Sequence, residues 1–171
     1  MLVHPSTIFE SFKLDISDLS EIGTIFAEHT KKGDLLLFSG KVGAGKTELA
    51  RQIIKAKATK EKLDIEEISS PTFSIIQSYD FQRCKILHID LYRVNSEEEL
   101  FELGIPDIFD NHITLLEWPE ILEIKNFSRN INLEIKETKE TRVIKINFFG
   151  NEWNDLIVSL LGSGHFSDEK I

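Results

Sequence analysis

Two hydrophobic rhythms alternate along this chain. Residues 34–38 form a short apolar run closed by Ser39 and Gly40, which predicts a buried strand, and residues 113–117 repeat that pattern up to Glu117. Residues 12–16 alternate apolar and polar as a strand does. Residues 72–79 and 84–90 read as two strands joined by the connector 80–83; so short a link predicts an antiparallel hairpin, because a parallel crossover needs about a dozen residues. Residues 131–137 and 142–148 alternate as a second hairpin. The helical rhythm appears after Ser17 or Asp18, with Leu19, Ile22, Ile25 and Phe26 facing inward as far as Thr30, and Lys31-Lys32-Gly33 as the stop. It returns at residues 48–56, where Leu49, Ile53 and Ala56 share a face, and fades over the charged stretch 57–67. Residues 96–104 carry a serine cap, acids in the first turn and a closing glycine, and residues 153–161 form a last helix. The prediction is a single α/β domain over residues 1–161, with a mixed sheet, helices on its faces and hairpins added to a phosphate-loop core; a disordered tail is expected over 162–171.

Composition narrows the class without changing it. Of the 171 residues, 41% are hydrophobic and 29% charged, ordinary values for a globular domain with a sizeable core. No apolar run approaches a membrane span, and the first residues lack the layout of a secretory signal. The single cysteine, Cys84, excludes an internal disulfide and a cysteine zinc cage, and its apolar strand predicts a buried, inert thiol. A cytoplasmic setting with no membrane partner is expected. The net charge of −9, from 20 basic and 29 acidic residues, disfavours broad non-specific binding to nucleic acid.

The chemistry is concentrated in Gly40-Lys41-Val42-Gly43-Ala44-Gly45-Lys46-Thr47, which fits G-x-x-x-x-G-K-S/T. Glycines let the backbone curl so that successive N–H groups face phosphate oxygens, and the following helix aims its positive end at the same anion. Lys46 can reach the terminal phosphates, and the Thr47 hydroxyl can ligate Mg²⁺. The strand before the loop and the helix after it are the context this motif demands.

Such a loop needs an acidic partner for the cation. Asp90 and Glu117 each close an apolar strand, so both are candidates to converge on the loop, with at least one touching the metal or its waters. Thr72, held after Ser70-Pro71, either presents its hydroxyl to the γ-phosphate or Mg²⁺ or belongs to an ordinary capped turn. His88 reads as a satisfied structural histidine before it reads as a catalytic one. Trp118 is either core or a cover for the site. The guanine-reading Asn-Lys-x-Asp pattern is absent, which favours adenine.

Taken together, the loop, Ser70-Pro71-Thr72-Phe73, His88-Ile89-Asp90-Leu91-Tyr92-Arg93, Glu98-Glu99-Leu100 with Leu103-Gly104-Ile105, and Leu116-Glu117-Trp118-Pro119 resemble the bacterial TsaE family over roughly residues 11–150. The resemblance implies a small ATPase of tRNA threonylcarbamoyladenosine biosynthesis that binds ATP and Mg²⁺ and hydrolyses slowly alone. It implies association with the threonylcarbamoyl-transferase heterodimer of TsaB and TsaD type, which modifies the adenosine 3′ of the anticodon in tRNAs reading codons that begin with A. tRNA is then met only through that complex. By carry-over, Thr47 and Glu117 are the metal ligands, Lys46 and the loop amides bind phosphates, and Asp90 is a required acid near the γ-phosphate. Thr72 and Trp118 fall in switch-like segments, and residues 16–18 and Arg142 fall near the nucleoside.

This chain departs from the family pattern at Lys41-Val42, where many members have Asp-Leu, and at Glu48, where many have a second threonine. Neither change touches Lys46 or Thr47. Two other readings of the loop are a small-molecule P-loop kinase and a nucleotide-gated binding module without useful turnover. The kinase reading needs an arginine-bearing lid, and Arg83, Arg93, Arg129 and Arg142 are scattered.

Overall fold

The computed structural model of the chain describes residues 7–65, 67–105, 109–122, 129–138 and 141–168. The expectations about the first six residues and about residues 169–171 of the tail lie outside these. In chain order the elements are β1 (Thr7–Ser11), α1 (Asp18–His29), β2 (Leu35–Ser39), α2 (Lys46–Glu61), β3 (Ile76–Asp80), β4 (Lys85–Asp90), α3 (Glu97–Glu102), β5 (Ile113–Glu117), β6 (Asn130–Thr138), β7 (Thr141–Phe149), α4 (Asn154–Gly162) and β8 (Phe166–Asp168). Among the described residues no helix is long and apolar enough to cross a membrane.

The strands form one eight-stranded sheet in the order β3-β4-β5-β2-β6-β7-β1-β8. The central four, β4, β5, β2 and β6, run parallel, and the remaining pairings are antiparallel. Both expected hairpins are present, as β3–β4 and β6–β7. β2 and β5, at the middle of the sheet, are near-continuous apolar runs, as suits strands covered on both faces. Leu36 and Phe38 of β2 join the layer packed by α1, α2 and α4, whereas Leu35 and Leu37 join the opposite layer with Val94, Leu100 and Phe109.

The same parity places the polar ends of two strands. In β4, Ile86 faces the α2 layer and Leu87 and Ile89 face away, so His88 and Asp90 share the side of Ile86. In β5, Leu115 faces the α2 layer and Leu116 faces away, so Glu117 turns toward α2. The register sets Asp90 directly beside Glu117.

Several boundaries differ from the sequence reading. The first strand is Thr7–Ser11, earlier than the alternating segment 12–16; Phe12 and Ile16 are exposed, and only Leu14 is drawn in, by a bridge to Arg142. β3 begins at Ile76 because residues 71–74 form a turn, closed by Ile75 N donating to the Pro71 carbonyl at 2.7 Å with Ile75 at φ 64°. The tail expected to be disordered contributes β8, which pairs with β1 and buries Phe166. Cys84 lies just before β4 and is half-buried, so it is neither in a strand nor fully enclosed. Burial pushes its thiol pKa up, Glu61 adds to that rise, and Lys57 opposes it.

Candidate functional site

The chain leaves β2 at Ser39 and enters the glycine loop under tight constraint. Gly40 sits at φ +133°, and a Cβ there would stand 2.2 Å from the Ile135 carbonyl oxygen of β6. Only glycine allows the loop to pass this close to the neighbouring strand. Gly43 and Gly45 also take positive φ, and Gly45 is the N-cap from which α2 begins. Arg142 of β7 donates Nε to the Ala44 carbonyl at 3.0 Å. This contact sets it against the backbone of the loop.

Lys46 is almost fully buried, and its ammonium donates to the carbonyls of Gly40 at 2.7 Å and Lys41 at 2.9 Å. The same ammonium lies 3.8 Å from the centre of the Trp118 ring. Burial lowers the Lys46 pKa, and the charges of Glu117, Asp90 and Glu120 act against that shift. Trp118 adopts a left-handed backbone, φ 59°, and donates its N–H to Phe38 at 3.1 Å, which ties it to the end of β2. Tyr92 packs on it with ring centres 5.0 Å apart.

Both expected acids line the cleft beside the loop, each with both carboxylate oxygens engaged, and Glu117 contacts the loop directly. Glu117 accepts from the Thr47 hydroxyl at 2.9 Å through Oε2, and its Oε1 meets His88 Nε2 at 2.8 Å. Asp90 accepts from the Thr72 hydroxyl at 2.6 Å through Oδ2 and from the Tyr92 N–H at 2.9 Å through Oδ1. The Ser70 and Thr72 hydroxyls are 2.7 Å apart, so the turn before β3 is held to Asp90 by side chains.

These groups surround a cleft of about 350 Å³ lined by the loop and α2 on one side and by Thr72, Asp90, Tyr92, Glu117 and Trp118 on the other. Val42, Gly43, Gly45, Lys46 and Thr47 line it; Gly40 and Lys41 turn their carbonyls to Lys46, and Ala44 is buried in the core. Chemically the cleft offers a positive end, a curled backbone, and a hydroxyl paired with a buried carboxylate. That donor set suits a phosphate chain with a hard divalent cation.

Two contributors were missed at the sequence level. Arg51 also lines the cleft; it pairs with Glu48 and donates Nε to the Ile68 carbonyl at 2.8 Å, fastening the segment before Ser70 to α2. Its signal was its place one helical turn beyond Thr47. Tyr92 was quoted only as part of a motif; its position two residues after an acid at a strand end is the spacing at which a carboxylate accepts the chain's own N–H. Glu48 also accepts from Gln52 at 2.6 Å, so the side chain that departs from the family pattern is held along α2.

A family model described as Threonylcarbamoyl adenosine biosynthesis protein TsaE matches residues 14–144. The relative named tRNA threonylcarbamoyladenosine biosynthesis protein TsaE from Bacillus subtilis is 32% identical over 142 residues, 81% of this chain and 85% of the relative. The protein of the same name from Rickettsia prowazekii is 39% identical over 99 residues, 58% of this chain; the match spans 66% of that relative, slightly under two thirds of its length. A crystal structure of Bacillus subtilis YdiB shares the fold with a TM-score of 0.63 at 23% identity, over 92% of this chain and 95% of that one.

Proposed function

The chain belongs to the TsaE family, and from that premise we propose that it is an ATP-binding and ATP-hydrolysing accessory protein of tRNA threonylcarbamoyladenosine formation. It acts on a threonylcarbamoyl-transferase heterodimer of TsaB and TsaD type, in the cytoplasm, and meets tRNA through that complex. The transfer chemistry belongs to the partner. The observation that carries this reading is the convergence of Lys46, Thr47, Asp90 and Glu117 on one cleft at the mouth of the glycine loop.

The residues fit a magnesium nucleotide. The Gly40 backbone leaves no room for a side chain, and the Thr47 hydroxyl and Glu117 carboxylate form a ready pair of oxygen ligands. Mg²⁺, when bound, would neutralise charge on the phosphates. The N–H groups of residues 41–47 and the Lys46 ammonium hold the phosphate chain. Asp90 holds the Thr72 hydroxyl at the cleft, where it would meet the terminal phosphate of a bound nucleotide, and its second oxygen holds the start of the segment carrying Tyr92. Trp118 and Tyr92 close the cleft on the side opposite α2. Arg142 stiffens the loop from its outer side.

Hydrolysis by the chain alone is weak in this reading, because Lys46 rests on loop carbonyls and Trp118 and must be redirected. Phosphate release from ATP, measured with the chain alone and with the purified heterodimer, tests the proposal. The expected result is a low rate that rises with the heterodimer, together with multiple-turnover tRNA modification that depends on this chain. Modification indifferent to the chain would sink it.

A further inference from the structure

His88 is completely buried at the centre of β4, on the face it shares with Ile86 and beside Leu115 of β5. Packing alone favours an aliphatic side chain there. Its Nδ1 has no hydrogen-bond partner among the described residues, so the imidazole is not retained for a network of its own. Among the described residues, the hydrogen-bond partner of its ring is Glu117 Oε1, at 2.8 Å from Nε2.

Both carboxylate oxygens of Glu117 are engaged: Oε1 faces His88 Nε2 at 2.8 Å, and Oε2 accepts from the Thr47 hydroxyl at 2.9 Å. With Nε2 as the donor, the imidazole holds the oxygen that Thr47 does not.

We propose that His88 is a positioning residue for Glu117: it anchors Oε1 from behind so that Oε2 is held at the Thr47 hydroxyl, where a divalent cation is taken. The inference rests on the magnesium-nucleotide reading above. A carboxylate held at one oxygen can rotate about its terminal bond; held at both, it cannot. Partners behind a metal-binding carboxylate commonly change metal affinity by about 10–100-fold.

The test is binding of a methylanthraniloyl-labelled, non-hydrolysable ATP analogue, titrated with MgCl₂ and followed by fluorescence. His88→Leu should raise the MgCl₂ concentration at half-maximal response by about tenfold or more, with magnesium-free binding of the analogue unchanged. His88→Gln places an amide N–H the same number of bonds from Cβ and should restore most of the response. His88→Asn, too short to reach Glu117, should match His88→Leu and replaces it if the leucine variant does not fold. In a Glu117→Gln background, His88→Leu should add nothing further to the magnesium dependence. A wild-type response with His88→Leu at the wild-type MgCl₂ concentration overturns the role of His88 alone. Loss of magnesium-free binding in step with thermal stability, without rescue by glutamine, also overturns it, in favour of a purely structural residue. Wild-type binding with no magnesium dependence overturns the magnesium part of the reading and the inference with it, and no binding of the analogue by the wild type overturns the nucleotide site itself.

Discussion

The Trp118 ring lies 3.8 Å from the Lys46 ammonium, so the motif lysine of the glycine loop and the residue after Glu117 are in direct contact. A cation over an indole face perturbs its emission, and phosphates that draw Lys46 away will change it. Nucleotide addition should therefore alter tryptophan fluorescence. Trp118→Phe should abolish the change. Trp153→Phe should preserve it, because Trp153 caps α4 and bonds Phe149 at the other side of the sheet order.

Lys46→Ala removes a charged donor and leaves the carbonyls of Gly40 and Lys41 without it. A hydrogen bond to a charged group is worth about 1.5–3 kcal/mol, so nucleotide affinity or turnover should fall roughly tenfold or more. Isothermal titration with ATP and a phosphate-release assay check this. Unchanged values in both would place the nucleotide elsewhere.

Gly40→Ala and Gly43→Ala separate steric clash from backbone strain. Both glycines have positive φ, but an added Cβ at Gly40 meets the Ile135 carbonyl at 2.2 Å, whereas at Gly43 it meets nothing within 4 Å. Gly43→Ala should cost about 1–2 kcal/mol. Gly40→Ala should cost clearly more and should also lose nucleotide binding. Melting temperatures and ATP titrations of the two variants give the order.

The glycine loop was legible in the sequence because each of its residue types answers a local backbone demand. Asp90 and Glu117 were legible as acids closing apolar strands, since a short apolar run that ends in a carboxylate needs no tertiary knowledge to see. Their partners were not. That Glu117 meets His88 and Asp90 meets Thr72 depends on the β4–β5 register and on the turn before β3. The start of β3 was misplaced for the same reason. Residues 72–75 carry strand-forming side chains, yet the Ser70 and Thr72 hydroxyls and the Ile75–Pro71 bond bend them toward Asp90. β8 is three residues long, too short for any period to register. Thr47 was named a metal ligand from the loop motif and its pairing with Glu117 came from the family resemblance; the two side chains lie 2.9 Å apart.

Cys84 offers a pH test outside the cleft. Burial raises its thiol pKa above the ordinary 9.0, with Glu61 adding and Lys57 opposing. A thiol whose folded pKa is raised favours the folded state below its unfolded pKa, and that contribution is lost as pH rises through the folded value. The thiolate is the reactive form. Alkylation of native Cys84 by iodoacetamide should thus be slower than that of the unfolded chain near pH 8.5. Its rate should still be climbing at pH values where that of the unfolded chain has already levelled off. Rates followed by mass spectrometry with and without denaturant decide it.

Asp34 and Arg129 test whether stability and the site are kept at opposite ends of the sheet. Asp34 precedes β2 and is 1% exposed; its Oδ1 accepts from Arg129 Nε at 2.5 Å and its Oδ2 from the Lys31 N–H at 2.9 Å. The guanidinium also lies 3.5 Å from the Trp153 ring. Arg129→Ala leaves a buried carboxylate with one donor and removes the stacked cation, a loss of about 3 kcal/mol. At roughly 2–4 °C per kcal/mol for a chain of this size, the melting temperature should drop by roughly 6–12 °C. Arg129→Lys should recover little, since an ammonium does not reproduce the planar fork that bonds Asp34 and covers the indole. Asp34→Asn combined with Arg129→Ala should cost less than the two single losses added, because no unpaired charge remains. Nucleotide affinity below the melting range should stay at the wild-type value in all three variants. The pair flanks the start of β2, whereas the loop leaves from its end, so a change in affinity without a change in stability would contradict this division of labour.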